Sequence, residues 1–258
     1  MSSDFGSRTG PPVGPEEIAL HGGSMTAVWR VGETVRRATG RWTPAVHALL
    51  DHLELAGFDG APRALGIDTA GREILTYLAG ASDWPKNDGA VLAVGRLLRR
   101  YHDAVATFVP APGMPWRIDR PLGPGEIVCH NDLQPANTVF RDGEPVAFID
   151  WDLAGPAPAI FDLARAAWDF IPLRSDRFCL HMGFKTPPPR ARRLRLLCDG
   201  TVSTTVRKSS PPCTSFNTRT STGSSGSSGL ESLRSPTSST AERTSTSRQT
   251  STGWPRTA

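Results

Sequence analysis

Cysteine is scarce in this chain of 258 residues. The four present, Cys129, Cys179, Cys198 and Cys213, form no C-x-x-C pair. Their spacing suggests neither a zinc site nor a disulfide framework. Long apolar runs are also missing, and none approaches the ~18 residues of a membrane span. The first residues, MSSDFGSRTGPPVGPEE, lack the apolar core of a secretion signal. A soluble, cytoplasmic protein with no membrane partner is the expectation. The formal charge of +4 does not imply a nucleic-acid partner either, because its distribution is lopsided. Residues 201–258 hold seven Lys/Arg and two Glu, which leaves residues 1–200 with 22 basic against 23 acidic side chains.

Composition changes at the same place. Residues 201–258 are about half Ser plus Thr with almost no aliphatics, a mixture that cannot build a core and reads as a disordered tail. Ser nevertheless recurs at 221, 225, 228, 232, 235 and 239, the spacing of one helix face. Reading one base earlier turns any TCN serine codon into Phe, Leu, Ile or Val, and each Thr codon into Tyr, His, Asn or Asp. With GC-rich codons, residues 201–219 become YGLDDREEVVAAVHQLQHE, a helical sequence. Two readings stand: a frameshifted product, or a native Ser/Thr tail.

The remainder divides into a flexible leader (1–15), a strand-rich lobe (16–80) and a helical lobe (81–200), an α+β arrangement. In the first lobe, Glu16–Leu20, Met25–Val31 and Glu33–Arg37 read as strands, with a turn at His21-Gly22-Gly23-Ser24. Thr43–Ala56 reads as a helix with Thr43 as N-cap, Pro44 in the first turn, Gly57 at its end, and Val46, Leu49, Leu50 and Leu53 facing the core. Ala64–Ile67 and Glu73–Leu78 form a hairpin, and Gly80–Pro85 is a connection. In the second lobe, Asp88–Phe108 is an amphipathic helix with Val91, Val94, Leu97, Leu98 and Tyr101 on one side. Ile127–Cys129, Thr138–Phe140 and Val146–Ile149 are short strands, and Ala159–Phe170 and a segment from Arg190 are helices.

The most informative stretch is Ile127–Asp152, IVCHNDLQPANTVFRDGEPVAFIDWD. Phosphoryl transfer from ATP needs a group that orients the acceptor hydroxyl, oxygen ligands for magnesium, and a cation on the phosphates. Asp132 can accept the hydroxyl's hydrogen. Asn137, five residues on, can return across a tight loop with an amide oxygen, and Asp150 follows an apolar strand that holds its carboxylate rigidly.

CHNDLQPANTVF followed by FIDWDLAGP resembles the aminoglycoside phosphotransferase family of protein-kinase-like small-molecule kinases, with its H-x-D-x-x-x-x-N and I-D-x-x patterns. The resemblance implies a two-lobed kinase-like fold using ATP and Mg²⁺, with Asp132 as catalytic base and Asn137 and Asp150 as metal ligands. It makes His130 a brace of the loop and gives Asp152 a supporting place. It also puts a cation on the third strand, where this chain has Arg36 and Arg37 instead of Lys. Adjacent residues point to opposite strand faces, and Arg36 is taken as the one facing ATP. His47 stands where such kinases carry the cation's Glu partner. Gly22 and Gly23 are candidates for close approach to phosphate, and the segment before Gly80 for the hinge beside adenine. Asp162 is read as a helix-start residue outside the site. The partner is then a small-molecule hydroxyl acceptor of unspecified identity. The alternative is a truncated, catalytically impaired nucleotide-binding relative. A dehalogenase-like phosphatase reading of VAFIDWDLAG fails, because only about 50 globular residues follow it.

Overall fold

Period-two alternation in the first 80 residues builds a sheet beside one helix, and period-3.6 patterns then supply the helices of the second lobe. The computed structural model describes residues 16–20 and 27–202, all within one compact unit, Met1–Pro211. The leader, the glycine turn with Gly22 and Gly23, and the tail beyond Val202 lie outside the described residues.

Strands β1 (Glu17–Leu20), β2 (Val28–Val31), β3 (Thr34–Ala38), β4 (Ala64–Ile67) and β5 (Arg72–Thr76) make one antiparallel sheet in the order β1-β2-β3-β5-β4. In the β3–β5 register, Val35 stands opposite Leu75 and Arg37 opposite Glu73. Both pairs therefore share a face, with Arg36 on the other. Helix α1 (Thr43–Leu55) buries Val46, Leu49, Leu50 and Leu53, the face read from the sequence. Its cap is different. Trp42 takes the N-cap position, and Thr43 lies inside the helix with its hydroxyl accepting the Gly40 N–H at 2.9 Å. The hydroxyl braces the turn that enters the helix, a competing use of Thr beside a glycine.

Helix α2 (Asp88–Val105) is capped by the Asn87 side chain, which accepts the Ala90 N–H at 2.7 Å. Val91, Val94, Leu97, Leu98 and Tyr101 are buried in the core they share with α1. Each such side chain contributes about 1.5–3 kcal/mol on leaving water. The second lobe adds two small sheets: β6 (Ile127–Cys129) with β9 (Gly155–Ala157), and β7 (Thr138–Arg141) with β8 (Glu144–Phe148). Asp142 (φ 51°) and Gly143 (φ 81°) make the β7–β8 turn, whose positive dihedrals match the strand twist. Helices α3 (Ile160–Phe170), α4 (Asp176–His181) and α5 (Arg190–Thr201) follow. β9 and α4 were not anticipated, being too short to show a period. Helix α5 also carries ordered structure through Thr201, a residue assigned to the tail from composition.

The connection between the lobes is pinned to β7. Ala81 and Phe140 exchange two backbone hydrogen bonds, of 3.0 and 2.8 Å. Gly80 (φ 151°) permits this approach, since a Cβ there would sit 2.6 Å from the Phe140 carbonyl oxygen.

Helices α2 and α5 cross at glycines. A Cβ on Gly95 would lie 2.3 Å from the Leu197 carbonyl oxygen, and one on Gly200 would lie 2.4 Å from that of Leu92. Alanine usually gains about 0.5–1 kcal/mol in a helix. Here the clash is against backbone, so Gly95→Ala or Gly200→Ala is expected to destabilise by about 1–3 kcal/mol, read as a lower urea midpoint.

Candidate functional site

Three short segments converge: the β6–β7 loop, the turn after β8, and the start of α3. The loop begins at His130, which is fully buried. Its Nδ1 accepts the Asp132 N–H (3.3 Å) and its Nε2 donates to the Ile149 carbonyl (3.1 Å). The ring therefore holds both the loop that carries Asp132 and the strand end that carries Asp150. It packs on Trp151 with ring centroids 4.5 Å apart. Burial lowers the pKa of His130 from its ordinary value of 6.5, an effect that outweighs the nearby carboxylates. The imidazole stays neutral, as its two hydrogen bonds require.

Asp132 and Asn137 meet directly. The Asn137 amide nitrogen donates to Asp132 Oδ2 at 2.8 Å and to the Asp132 carbonyl at 3.1 Å, while Gln134 Nε2 donates to Oδ2 at 3.0 Å. With its nitrogen turned toward Asp132, Asn137 presents its amide oxygen elsewhere. Pro135–Asn137 form a 3₁₀ turn that makes this return possible. Backbone ties then bring in Asp150: the Ile149 N–H donates to the Asn137 carbonyl at 2.9 Å. Asp150 is in the left-handed region (φ 63°, ψ 66°), with its side chain half exposed at 48 %. An amide oxygen and an accessible carboxylate are hard donors of the kind Mg²⁺ takes, so these residues fit that ion.

On the third strand Arg37, not the expected Arg36, stands on the side of Asp150 and Asp152. Arg37 Nη1 donates to Asp150 Oδ1 at 2.9 Å, Nη2 to Asp152, and Nε to Glu73. Arg36 lies on the opposite face, bonded to Thr34 Oγ1 and 3.8 Å from Asp68. The signal was present in the sequence: Val35 shares the period-two face with Arg37, and an apolar strand residue marks the inward side. Burial works against the Arg37 charge, but Glu73, Asp152 and Asp150 outweigh it and raise its pKa. Asp152 moves the other way, raised chiefly by burial despite Arg37. The cation's acidic partner is Glu73 from β5, and His47 of α1 reaches the same carboxylate at 3.1 Å.

Sequence reasoning missed the role of Asp162. It does sit in the first turn of α3, yet its carboxylate is fully buried. Its oxygens accept the backbone N–H groups of His130 (3.0 Å) and Asn131 (2.8 Å), and Oδ2 lies 3.1 Å from His102 Nε2. A lone Asp at a helix start gives no sign of this from spacing, since the amides belong to a loop about 30 residues earlier. The ligand atoms of His102, Cys129 and Asp162 lie within 4.8 Å of one another. The trio braces the loop: Asp162 accepts two backbone amides, and burial pushes the Cys129 thiol up. Arg165 of α3 was also missed. It donates to Asp132 Oδ1 at 3.1 Å and pairs with Asp169.

Residues 116–196 match the family model described as the phosphotransferase enzyme family. The trifolitoxin immunity protein of Rhizobium leguminosarum bv. trifolii is 41 % identical over 192 residues, covering 72 % of this chain and 74 % of that one. The chain belongs to the phosphotransferase enzyme family. Among solved structures, amicoumacin kinase hAmiN in complex with AMP-PNP, Ca²⁺ and Ami superposes with a TM-score of 0.53 at 12 % identity, over 72 % of this chain and 71 % of that one. Glucosamine kinase in complex with glucosamine, ADP and inorganic phosphate gives 0.51 at 18 % identity, over 74 % and 68 %. These likenesses establish the kinase-like α+β fold of this phosphotransferase family member. The matched 81 residues hold both motifs and Asp162, whereas Arg37 and Glu73 lie outside them.

Two outcomes are expected. Asp162→Asn replaces one acceptor oxygen by a donor facing buried N–H groups, and should lower unfolding free energy by about 1–3 kcal/mol in urea titration. Second, the unfolded chain protonates His130 below about pH 6.5 while the folded state resists it. Unfolding then takes up a proton, so stability falls from pH 7 to pH 5. His130→Gln should flatten that fall in urea midpoints measured across the range.

Proposed function

We propose that this chain is an ATP- and Mg²⁺-dependent phosphotransferase that moves the γ-phosphoryl group to a hydroxyl of a small molecule. Family and fold support small-molecule phosphotransfer. The observation that carries the finer reading is the contact of Asp132 with Asn137, on a loop tied through His130 and Ile149 to the strand end bearing Asp150.

In this reading Asp132 accepts the acceptor hydroxyl's hydrogen bond and takes its proton as the new O–P bond forms. The bond from the γ-phosphorus to the bridging oxygen breaks, and ADP leaves. Asn137 and Asp150 hold Mg²⁺, which when bound supplies positive charge against the phosphate oxygens. Arg37 is the phosphate-facing cation, drawn from its present place on Asp150 and Asp152. Its planar fork suits phosphate as well as carboxylate. Asp152 anchors that fork, and His130 and Asp162 keep the loop in place. Residues 16–80 form the nucleotide-binding lobe and residues 81–200 the catalytic and metal-binding lobe. ATP supply places the protein in the cytoplasm. The relative's name makes protection against trifolitoxin the first cellular phenotype to assay.

One observation favours the second reading, a nucleotide-binding relative without turnover. Both Asp132 oxygens are engaged, Oδ1 by Arg165 and Oδ2 by Asn137 and Gln134. An acceptor hydroxyl has to share Oδ1 with Arg165 or displace one of these donors.

Calorimetry with Mg–ATP, followed by a screen of hydroxyl acceptors for ADP release, separates the two. The enzyme reading expects Asp132→Ala to lose about 10²–10⁴-fold in turnover with ATP affinity retained. Arg37→Ala should weaken ATP binding, and Arg36→Ala should leave it unchanged. Binding with no turnover on any acceptor supports the second reading, and no binding refutes both.

A further inference from the structure

Helix α3 carries a cation to the candidate base on the same side as its bracing carboxylate. Asp162 and Arg165 are neighbours at helical spacing i, i+3. Asp162 holds the loop amides, and Arg165 Nη2 donates to Asp132 Oδ1 at 3.1 Å. The Nη1 end of Arg165 bonds to Asp169 one turn on, a carboxylate only 4 % exposed. Arg174 Nη2 donates to the other oxygen of Asp169 at 2.9 Å. Two guanidinium groups thus share one buried carboxylate. The Arg174 guanidinium is also seated over the rings of Phe178 (4.8 Å) and Trp168 (5.7 Å). Both arginines keep an accessible side, with side-chain exposures of 29 % and 37 %.

The carboxylates that could offset this pair are already taken. From Ile160 to His181 the acidic side chains are Asp162, Asp169 and Asp176. Asp162 is filled by loop amides, Asp169 by the two arginines, and Asp176 pairs with Arg190 at 2.7 Å. Asp152 is held by Arg37, with Arg117 3.6 Å away. An amine brought beside Asp132 therefore faces guanidinium groups, with Asp132 as its one partner there. A carboxylate in the same place finds a cationic fork already fixed by Asp169. It also draws Nη2 off Asp132 Oδ1, which opens that oxygen to a hydroxyl of the same molecule.

We propose that Arg165, with Arg174 behind it, is the anion subsite of the acceptor, and that the acceptor carries a carboxylate a few carbons from its reacting hydroxyl. The proposal rests on the phosphotransfer reading and names its substrate class. Arg165 binds the carboxylate while Asp132 binds the hydroxyl. One side chain thereby occupies the base in the empty site and leaves it for an acceptor of the right charge.

Small alcohols alike in size and unlike in charge test this: β-hydroxypropionate, trimethylene glycol and propanolamine. ADP release with Mg–ATP gives kcat and KM for each, and ligand-observed NMR with Mg–ADP gives binding. β-Hydroxypropionate is expected to exceed the neutral alcohol in kcat/KM by about 10–100-fold, the range of a hydrogen bond to a charged group, with propanolamine lowest. Arg165→Gln should cut that preference to less than about threefold through KM, and Arg165→Lys should keep part of it. Arg174→Gln, which leaves the Asp132 contact intact, should weaken the preference as well. Equal use of the three alcohols, or a preference for propanolamine, overturns the proposal and leaves phosphotransfer standing. So does a loss of kcat on all three in Arg165→Gln with the preference unchanged, because Arg165 then only positions Asp132. Binding of β-hydroxypropionate that requires Arg165, without ADP release, supports the subsite while phosphotransfer fails. Binding of none of the three overturns it.

Discussion

The geometry of the candidate site depends on one buried carboxylate, that of Asp162. Asp162 is fully buried, and a buried charge is costly unless its oxygens are filled. Here they are filled by the N–H groups of His130 and Asn131, with His102 alongside. The requirement works in both directions. The loop amides have no strand partner at this bend and need an acceptor, and the carboxylate needs donors. Each condition is met only when α3 is seated under the β6–β7 loop. Everything downstream follows from that seating: His130 is held against Ile149, Asn137 is returned to Asp132, and Asp150 leaves β8 in a fixed direction.

A second constraint ties the strand-rich lobe to this platform. Arg37 is a buried cation satisfied by three carboxylates from three segments: Glu73 of β5, and Asp150 and Asp152 after β8. Its link to helix α1 runs through His47, which shares Glu73. The strand cation and its acid are therefore cross-strand neighbours, and the helix joins through an imidazole. The arrangement needs no acidic residue on α1, which explains how the helix carries His at that position.

The sheet, its covering helices and the two central motifs were legible because they repeat or cluster locally. Leu49, Leu50 and Leu53 announce a helix face by spacing alone, and Asp132, Asn137 and Asp150 fall within 19 residues of one another. The choice between Arg36 and Arg37 depended on strand phase. Val35 held that information, but a one-residue difference in phase is easily misassigned without the partner strand. Thr43 misled for a similar reason, since its hydroxyl had a nearer amide to accept from. The glycine turn at 22–23 and the tail lie outside the described residues.

By itself, the sequence determined most element types, the composition break near residue 200 and the local clustering of Asp132, Asn137 and Asp150. These follow from side-chain type and short-range period, which the chain carries locally. Tertiary structure alone decided that Glu73 is the partner of Arg37, that Asp162 holds the loop amides, and that Arg165 reaches Asp132. Each of those joins groups tens of residues apart, and no local pattern records which distant donor a buried acceptor will find.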